Sequence, residues 1–182
     1  MSRLYYEGQG SGDRLYYEPW TPKNISRKAW EHTAKVFDSF SGTWQGSYVY
    51  VDAVGQVTDS HLSRLELRRT GRKWQQLNTY TWENGGERRF EFAGEFDDNG
   101  VLVFNTPRLV GKAWVSGQSV LLDWEYQTGI TNANFERINM IGSNAAGQAT
   151  RMRSWQLSES GTPKGHVLIH EVQISDKCCY DQ

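Results

Sequence analysis

Cysteine is nearly absent from this 182-residue chain: the two present, Cys178 and Cys179, are neighbours close to the end. Adjacent cysteines close no useful loop, and no histidine or aspartate beside them offers metal-ligand spacing, so they read as tail residues rather than a redox or zinc site. An excess of charge is missing as well. Lys plus Arg number 20 against 21 Asp plus Glu, whereas a broad nucleic-acid or anionic-membrane surface needs a basic excess or stripe. Long apolar runs are missing too. The longest stretches without a charged side chain, Ser39–Val51 and Ile138–Thr150, are 13 residues each and partly polar, short of the ~18–20 that a membrane helix needs. The opening Met-Ser-Arg-Leu-Tyr-Tyr-Glu has no apolar core behind its arginine, which predicts a cytoplasmic protein without a secretory signal. Neither nucleic acid nor membrane is an expected partner, and a homo-oligomer is left open. Also absent are G-x-x-x-x-G-K-[ST], G-x-G-x-x-G before a helix, H-E-x-x-H and G-x-S-x-G, which speaks against cofactor-dependent redox and phosphoryl chemistry. Neither metal nor cofactor is expected, and any catalysis would work through shape and acid–base groups.

What is plentiful is aromatic: 8 Trp, 9 Tyr and 7 Phe, interspersed with 18 Gly. Aromatic residues favour pleated, half-buried strands and scattered glycine supplies tight turns, so the chain reads as all-β, with a length that suits one domain. Residues 1–23 read as an arm. Arg3-Leu4-Tyr5-Tyr6-Glu7 returns as Arg14-Leu15-Tyr16-Tyr17-Glu18 across the flexible run Gly8-Gln9-Gly10-Ser11-Gly12. Either a terminus without fixed structure or a tyrosine-rich strap over an opening in the body accounts for it. From Asn24 the pattern turns helical, with Ile25, Trp30, Ala34, Phe37 and Phe40 sharing a stripe that Arg27, Lys28, Glu31, Lys35 and Asp38 largely avoid. This predicts one amphipathic helix at about 26–38, capped by Asn24 or Ser26, lying across one end of a sheet.

Beyond Gly42 the chain predicts ten strands, at 44–51, 61–69, 73–82, 87–96, 101–105, 109–116, 119–127, 133–141, 150–158 and 166–174. Turn signals such as Val54-Gly55, Asn84-Gly85-Gly86, Asp97-Asp98-Asn99-Gly100 and Gly161-Thr162-Pro163 divide them, and 177–182 remain as a tail. Consecutive short strands with hairpin links call for an up-and-down meander, which hides its edges most simply by closing into a barrel. A barrel of this strand number holds more volume than its side chains fill, so a cavity is expected. Alternation places Trp74, Gln76, Asn78, Tyr80 and Trp82 on one face of their strand, and Val120, Leu122, Trp124 and Tyr126 on one face of theirs. The last strand sets His166, Leu168, His170, Val172 and Ile174 against Val167, Ile169, Glu171 and Gln173. Aromatic rings interleaved with amides and hydroxyls suit a lining that grips a partly apolar, partly polar molecule. Tyr48, Trp74, Asn78, Tyr80, Trp82, Trp124 and Tyr126 are therefore candidate lining residues, with a filled, purely structural interior as the competing reading.

A short helix running into Gly42-Thr43-Trp44-Gln45-Gly46 at the head of the first strand, followed only by hairpins, resembles the lipocalin-like (calycin) superfamily. The likeness is nearest to bacterial and cyanobacterial single-domain barrels, a group that includes nitrobindin-like haem proteins and phycobilin lyases. As a layout it covers about residues 36–174, including the Asp97-Asp98-Asn99-Gly100 turn, Arg153-Ser154-Trp155-Gln156, and a last strand ending His170-Glu171-Val172. It implies a barrel whose closed end Trp44 plugs beneath the helix. His170, with His166 on the same face, would stand where haem-binding relatives place an iron ligand. Val51-Asp52-Ala53-Val54-Gly55 replaces their threonine-rich proline segment, which leaves haem off the expected cofactors. By likeness to the lyases, Arg137, Arg151 and Arg153 would clamp ligand carboxylates. A buried member of Glu66, Glu91, Glu95 and Asp123 would have a raised pKa suited to general acid work. The expected function is binding of a small, mainly apolar organic molecule. The alternative is a cofactor-free lyase, isomerase or cyclase, for bilin attachment or natural-product ring formation, acting by substrate preorganisation.

Overall fold

The computed structural model describes residues 26–127 and 132–181; the arm over 1–23 lies outside them. Ser26 opens the first element, its hydroxyl accepting from the Ala29 amide at 3.2 Å. Helix α1 (Arg27–Ser39) follows, burying Thr33, Val36 and Phe37, with Phe40 buried just beyond its end. Trp30 and Ala34 are half-buried, so the apolar stripe is rotated slightly from the expected one.

Ten strands succeed it: β1 (Gly42–Asp52), β2 (Val57–Thr70), β3 (Lys73–Thr81), β4 (Glu87–Phe96), β5 (Leu102–Asn105), β6 (Leu109–Ser116), β7 (Ser119–Tyr126), β8 (Asn132–Ser143), β9 (Ala149–Glu159) and β10 (Thr162–Ser175). Each pairs antiparallel with its sequence neighbour, and β1 pairs with β10, so the sheet closes on itself. Closure leaves no long exposed edge, which is how an all-antiparallel meander avoids pairing with other chains. The expected boundary at Gly161-Thr162-Pro163 shifts: Ser160 and Gly161 both take positive φ, giving a two-residue turn, and β10 already begins at Thr162.

Glycine matters most where the barrel closes. Gly42 has φ +109°, which turns the chain from the helix into β1, and a side chain at Gly46 would meet the carbonyl of His170 on β10. Trp44 sits between them, fully buried, its indole Nε1 donating to the Phe40 carbonyl at 2.9 Å. The core gathers at this end, where Phe37 makes edge-to-face contacts with Trp74 and Phe96. The chain's end is fixed to the outer wall. Thr43 donates to the Lys177 carbonyl, the Cys179 amide to Glu66, and Arg68 pairs with Asp181 at 2.7 Å.

The wall is not uniform. Strand β4 meets β5 only through Glu95↔Val103 and Phe96↔Leu102. Among the described residues, 87–94 have no strand partner on that side, which leaves a notch in the wall at the end away from the helix.

Candidate functional site

The barrel interior is hollow in two adjoining lobes whose walls share Trp74, Gln76, Phe104, Leu122 and Arg153. The deep lobe, about 50 Å³, lies toward the helix against Phe37, Phe40, Leu67 and Ala113. The outer lobe, about 90 Å³, is walled by Tyr80, Phe90, Trp124, Tyr126 and Trp155 and reaches the notch at Phe92, Ala93 and Arg108. A buried water takes up roughly 10–15 Å³, so both lobes together have room for roughly nine to fourteen non-hydrogen atoms.

Strand periodicity builds the polar side of this lining. On the inner face of β3 every second residue passes a hydrogen bond to the next. Trp74 Nε1 donates to Gln76 Oε1 at 3.2 Å, Gln76 Nε2 to Asn78 Oδ1 at 2.9 Å, and Asn78 Nδ2 to the Tyr80 hydroxyl at 2.8 Å. Opposite them, β8, β9 and β10 supply a buried charge network. Arg151 Nε donates to Glu171 Oε2 and Arg153 Nε to Glu136 Oε1, both at 2.5 Å, and Arg153 Nη1 reaches the Tyr48 hydroxyl at 3.0 Å and Glu171 Oε1 at 3.4 Å. All five side chains are buried.

Burial sets the electrostatics, and pairing decides the outcome. Burial pushes the Glu171 carboxyl up, but the guanidiniums of Arg151 and Arg153 outweigh it and hold it below the usual carboxylate range. Burial draws the Arg151 guanidinium down against the pull of Glu171, and draws Arg153 down too, yet Glu136, Tyr48 and Glu171 lift Arg153 well above its ordinary value. Arginine's ordinary value is so high that both stay charged. Desolvation keeps the phenols of Tyr48 and Tyr80 neutral, well into the alkaline range. Arg151 also stacks on Trp44, 4.2 Å from the ring centroid, joining the network to the plug.

The far end of the barrel is closed by rings. His61, buried on β2, stacks on Tyr48 at 5.0 Å and lies 4.6 Å from Trp82, with Nδ1 3.2 Å from Asp59. Trp82 also donates to Asp59, so it sits at the rim rather than in the cavity. Arg108 spans the notch, its guanidinium carbon 3.5 Å from the Phe90 ring centroid and 5.4 Å from that of Tyr126.

Of the residues expected to line a site, Trp74, Asn78, Tyr80, Trp124, Tyr126 and Arg153 line the hollow, and Tyr48 backs it through Arg153. Arg137 and His170 do not. Both are exposed on the outer face, Arg137 bonded to Asn139 and Ser119 there, because their strands present the alternate residues Glu136, Ile169 and Glu171 inward. Glu66, Glu91, Glu95 and Asp123 also lie on outer faces, Glu91 bonded to the C-terminal tail at Tyr180; Glu66 is buried beneath that tail, but against the push of burial the Cys179 amide and Arg64 hold its carboxyl below the usual range rather than raised for general acid work. Among the described residues the buried inward carboxylates are Glu136 and Glu171, neither of which was expected, with Asp59 half-buried at the rim beside His61. A haem held by His170 does not fit this arrangement: the histidine faces away from the interior, and the lobes are several times too small for a tetrapyrrole.

No family model matches the chain, and no curated protein matches it. Among solved structures it is similar to the crystal structure of a protein of unknown function from the DUF3598 family of Nostoc punctiforme PCC 73102, with 14% sequence identity and a TM-score of 0.57. The match covers 76% of this chain and 49% of that one, so the chain spans about half the length of its neighbour. At this identity the likeness is one of fold. A closed ten-stranded antiparallel barrel with one leading helix is consistent with a calycin-like architecture.

Proposed function

We propose that this chain is a divergent calycin-type barrel that binds one small, mainly apolar organic molecule in its two-lobed interior. The observation that carries the reading is the hollow itself: its aromatic wall is lined on one side by the β3 hydrogen-bond ladder and on the other by a charge network that is already paired. Apolar walls supply the affinity and a few fixed polar groups the orientation. Trp124 and Trp155 face the outer lobe, so their emission reports occupancy directly. Purification without denaturation followed by native mass spectrometry should reveal a bound organic mass. Failing a co-purified species, tryptophan quenching by apolar ketones and terpenoid-sized compounds should saturate at one per chain. An interior that quenches with none of them, and carries no extra mass, defeats the proposal.

A second reading rests on Glu136. This carboxylate is buried on the wall of the outer lobe with one oxygen held by Arg153, a fixed acceptor beside any bound molecule. Such a group suits proton transfer in a cofactor-free isomerase, lyase or cyclase, in which the cavity holds the substrate in a reactive shape. Deuterium exchange at a bound ketone's α-carbon, lost in Glu136→Gln with binding retained, is the result that would favour it.

A further inference from the structure

We infer that the deep lobe receives an uncharged hydrogen-bond acceptor, such as a ketone, ester or amide carbonyl at the end of an apolar body, on the buried guanidinium of Arg151. The inference rests on the cavity-binding reading and adds the chemical class and orientation of the ligand. Arg151 is 1% exposed and lines the deep lobe. Its Nε is taken by Glu171 and its guanidinium carbon sits 4.2 Å over the Trp44 ring, but Nη2 finds no hydrogen-bond partner among the described residues. Phe37, Phe40, Leu67, Ala113 and Val120, which line the same lobe, carry no side-chain acceptor, and the amide oxygen of Gln76 there already accepts from Trp74. A buried charged donor left unmet is among the costliest features an interior can keep, so its persistence beside a hollow marks where an acceptor belongs.

Charge counting decides what kind of acceptor. Arg151 and Arg153 are balanced by Glu136 and Glu171 within the same buried network. A carboxylate entering the deep lobe would leave one negative charge uncompensated beside a buried, already balanced network, whereas a carbonyl adds a lone pair and no charge. Among the described residues that line the lobes, the cation without a carboxylate partner is Arg108 beside the notch, so a carboxylate ligand would bind the other way round.

The test compares methyl nonyl ketone, undecane and undecanoate, all of a size the two lobes admit, by tryptophan quenching and calorimetry on the full chain. The ketone should bind at least about tenfold more tightly than the alkane, the margin of one hydrogen bond to a charged donor, and more tightly than undecanoate. The carbonyl stretch of the bound ketone should move to lower frequency, and in Arg151→Met/Glu171→Gln, which removes the pair together, both the shift and the tenfold margin should disappear. The stretch needs only the unaltered protein, so the inference stays open to failure even if the double variant does not fold. Equal binding of ketone and alkane, or an unshifted stretch, overturns the inference while cavity binding stands. Undecanoate binding as tightly as the ketone, with dependence on Arg108 and none on Arg151, overturns it too. If none of the three binds, the cavity reading falls with it.

Discussion

A buried Arg–Glu network is costly to desolvate and costlier to break. Removing one partner leaves the other charged and unsolvated, at about 3–5 kcal/mol, while replacing both by apolar groups is often close to neutral. Glu171 is fully buried and holds both Arg151 and Arg153. Glu171→Leu should therefore lose about 3–5 kcal/mol in urea unfolding, and Arg151→Met/Glu171→Leu should recover most of it. A loss in the double variant equal to the sum of the separate Arg151→Met and Glu171→Leu losses would show that the pair is not coupled. The pH dependence follows from the direction of its shift. Glu171 is held below the usual carboxylate range, so its contribution is complete above the unfolded value of about 4.3 and is lost as pH falls through the lower folded value. Unfolding midpoints should fall with acid across that window in the wild type and less steeply in Glu171→Gln. At this scale the sequence was half legible. The β3 lining could be read because Trp74, Gln76, Asn78 and Tyr80 alternate cleanly with their neighbours. His170 and Glu171 could not be assigned so simply, because each adjoining residue takes the opposite face and charge alone argues for the outside. The available signal was that Glu171 shares a face with Val167 and Ile169, the drier side of β10.

At the scale of elements, turn chemistry carried the reading. All ten strands lie where glycine- and asparagine-marked turns divide the chain, with ends shifted by up to four residues, and Ser26 caps the helix. What the local sequence does not encode is how long two neighbours stay paired, so the short β4–β5 register and its notch were invisible there. Two elements give sharp tests. A Val in place of Gly46 would push against the His170 carbonyl and the Glu171 side chain across the β1–β10 seam, which should cost about 2–3 kcal/mol with loss of cooperativity in thermal unfolding. Gly55→Val is the control for the size of the side chain: nothing lies near that position, and only its positive φ is strained. At the notch, Arg108 is held by rings on two strands that do not pair with each other there, β4 and β7. Each such contact is worth about 0.5–2 kcal/mol, small enough to open on the timescale of ligand exchange. Arg108→Ala should accelerate stopped-flow association and dissociation of an apolar probe together, leaving affinity nearly unchanged. Affinity lost through dissociation alone would make Arg108 a ligand contact and move the entrance elsewhere.

The whole molecule balances filling against hollowness. A ten-stranded barrel encloses more than its own side chains occupy, and this one spends much of the surplus on rings: Trp44 and the helix close one end, while His61, Tyr48, Tyr50 and Trp82 crowd the other. What is left is a two-lobed slot of about 50 and 90 Å³. If that slot is functional, filling it should harm binding without harming the fold. Leu122 is half-buried and lines both lobes, so Leu122→Trp would occupy their junction with little demand on the wall. A protein whose hollow is only imperfect packing gains from such a change, because filled voids recover dispersion contacts. A binding barrel instead exchanges ligand-linked stability, about 2.7 kcal/mol at a hundredfold excess over Kd, for a fixed gain. The discriminating measurement is the thermal midpoint with and without a saturating probe ligand. Leu122→Trp should match or exceed the free wild type and show no ligand-dependent rise, whereas the wild type should rise by several degrees. A ligand-dependent rise of equal size in both would place the bound molecule outside the lobes and return the hollow to a packing defect.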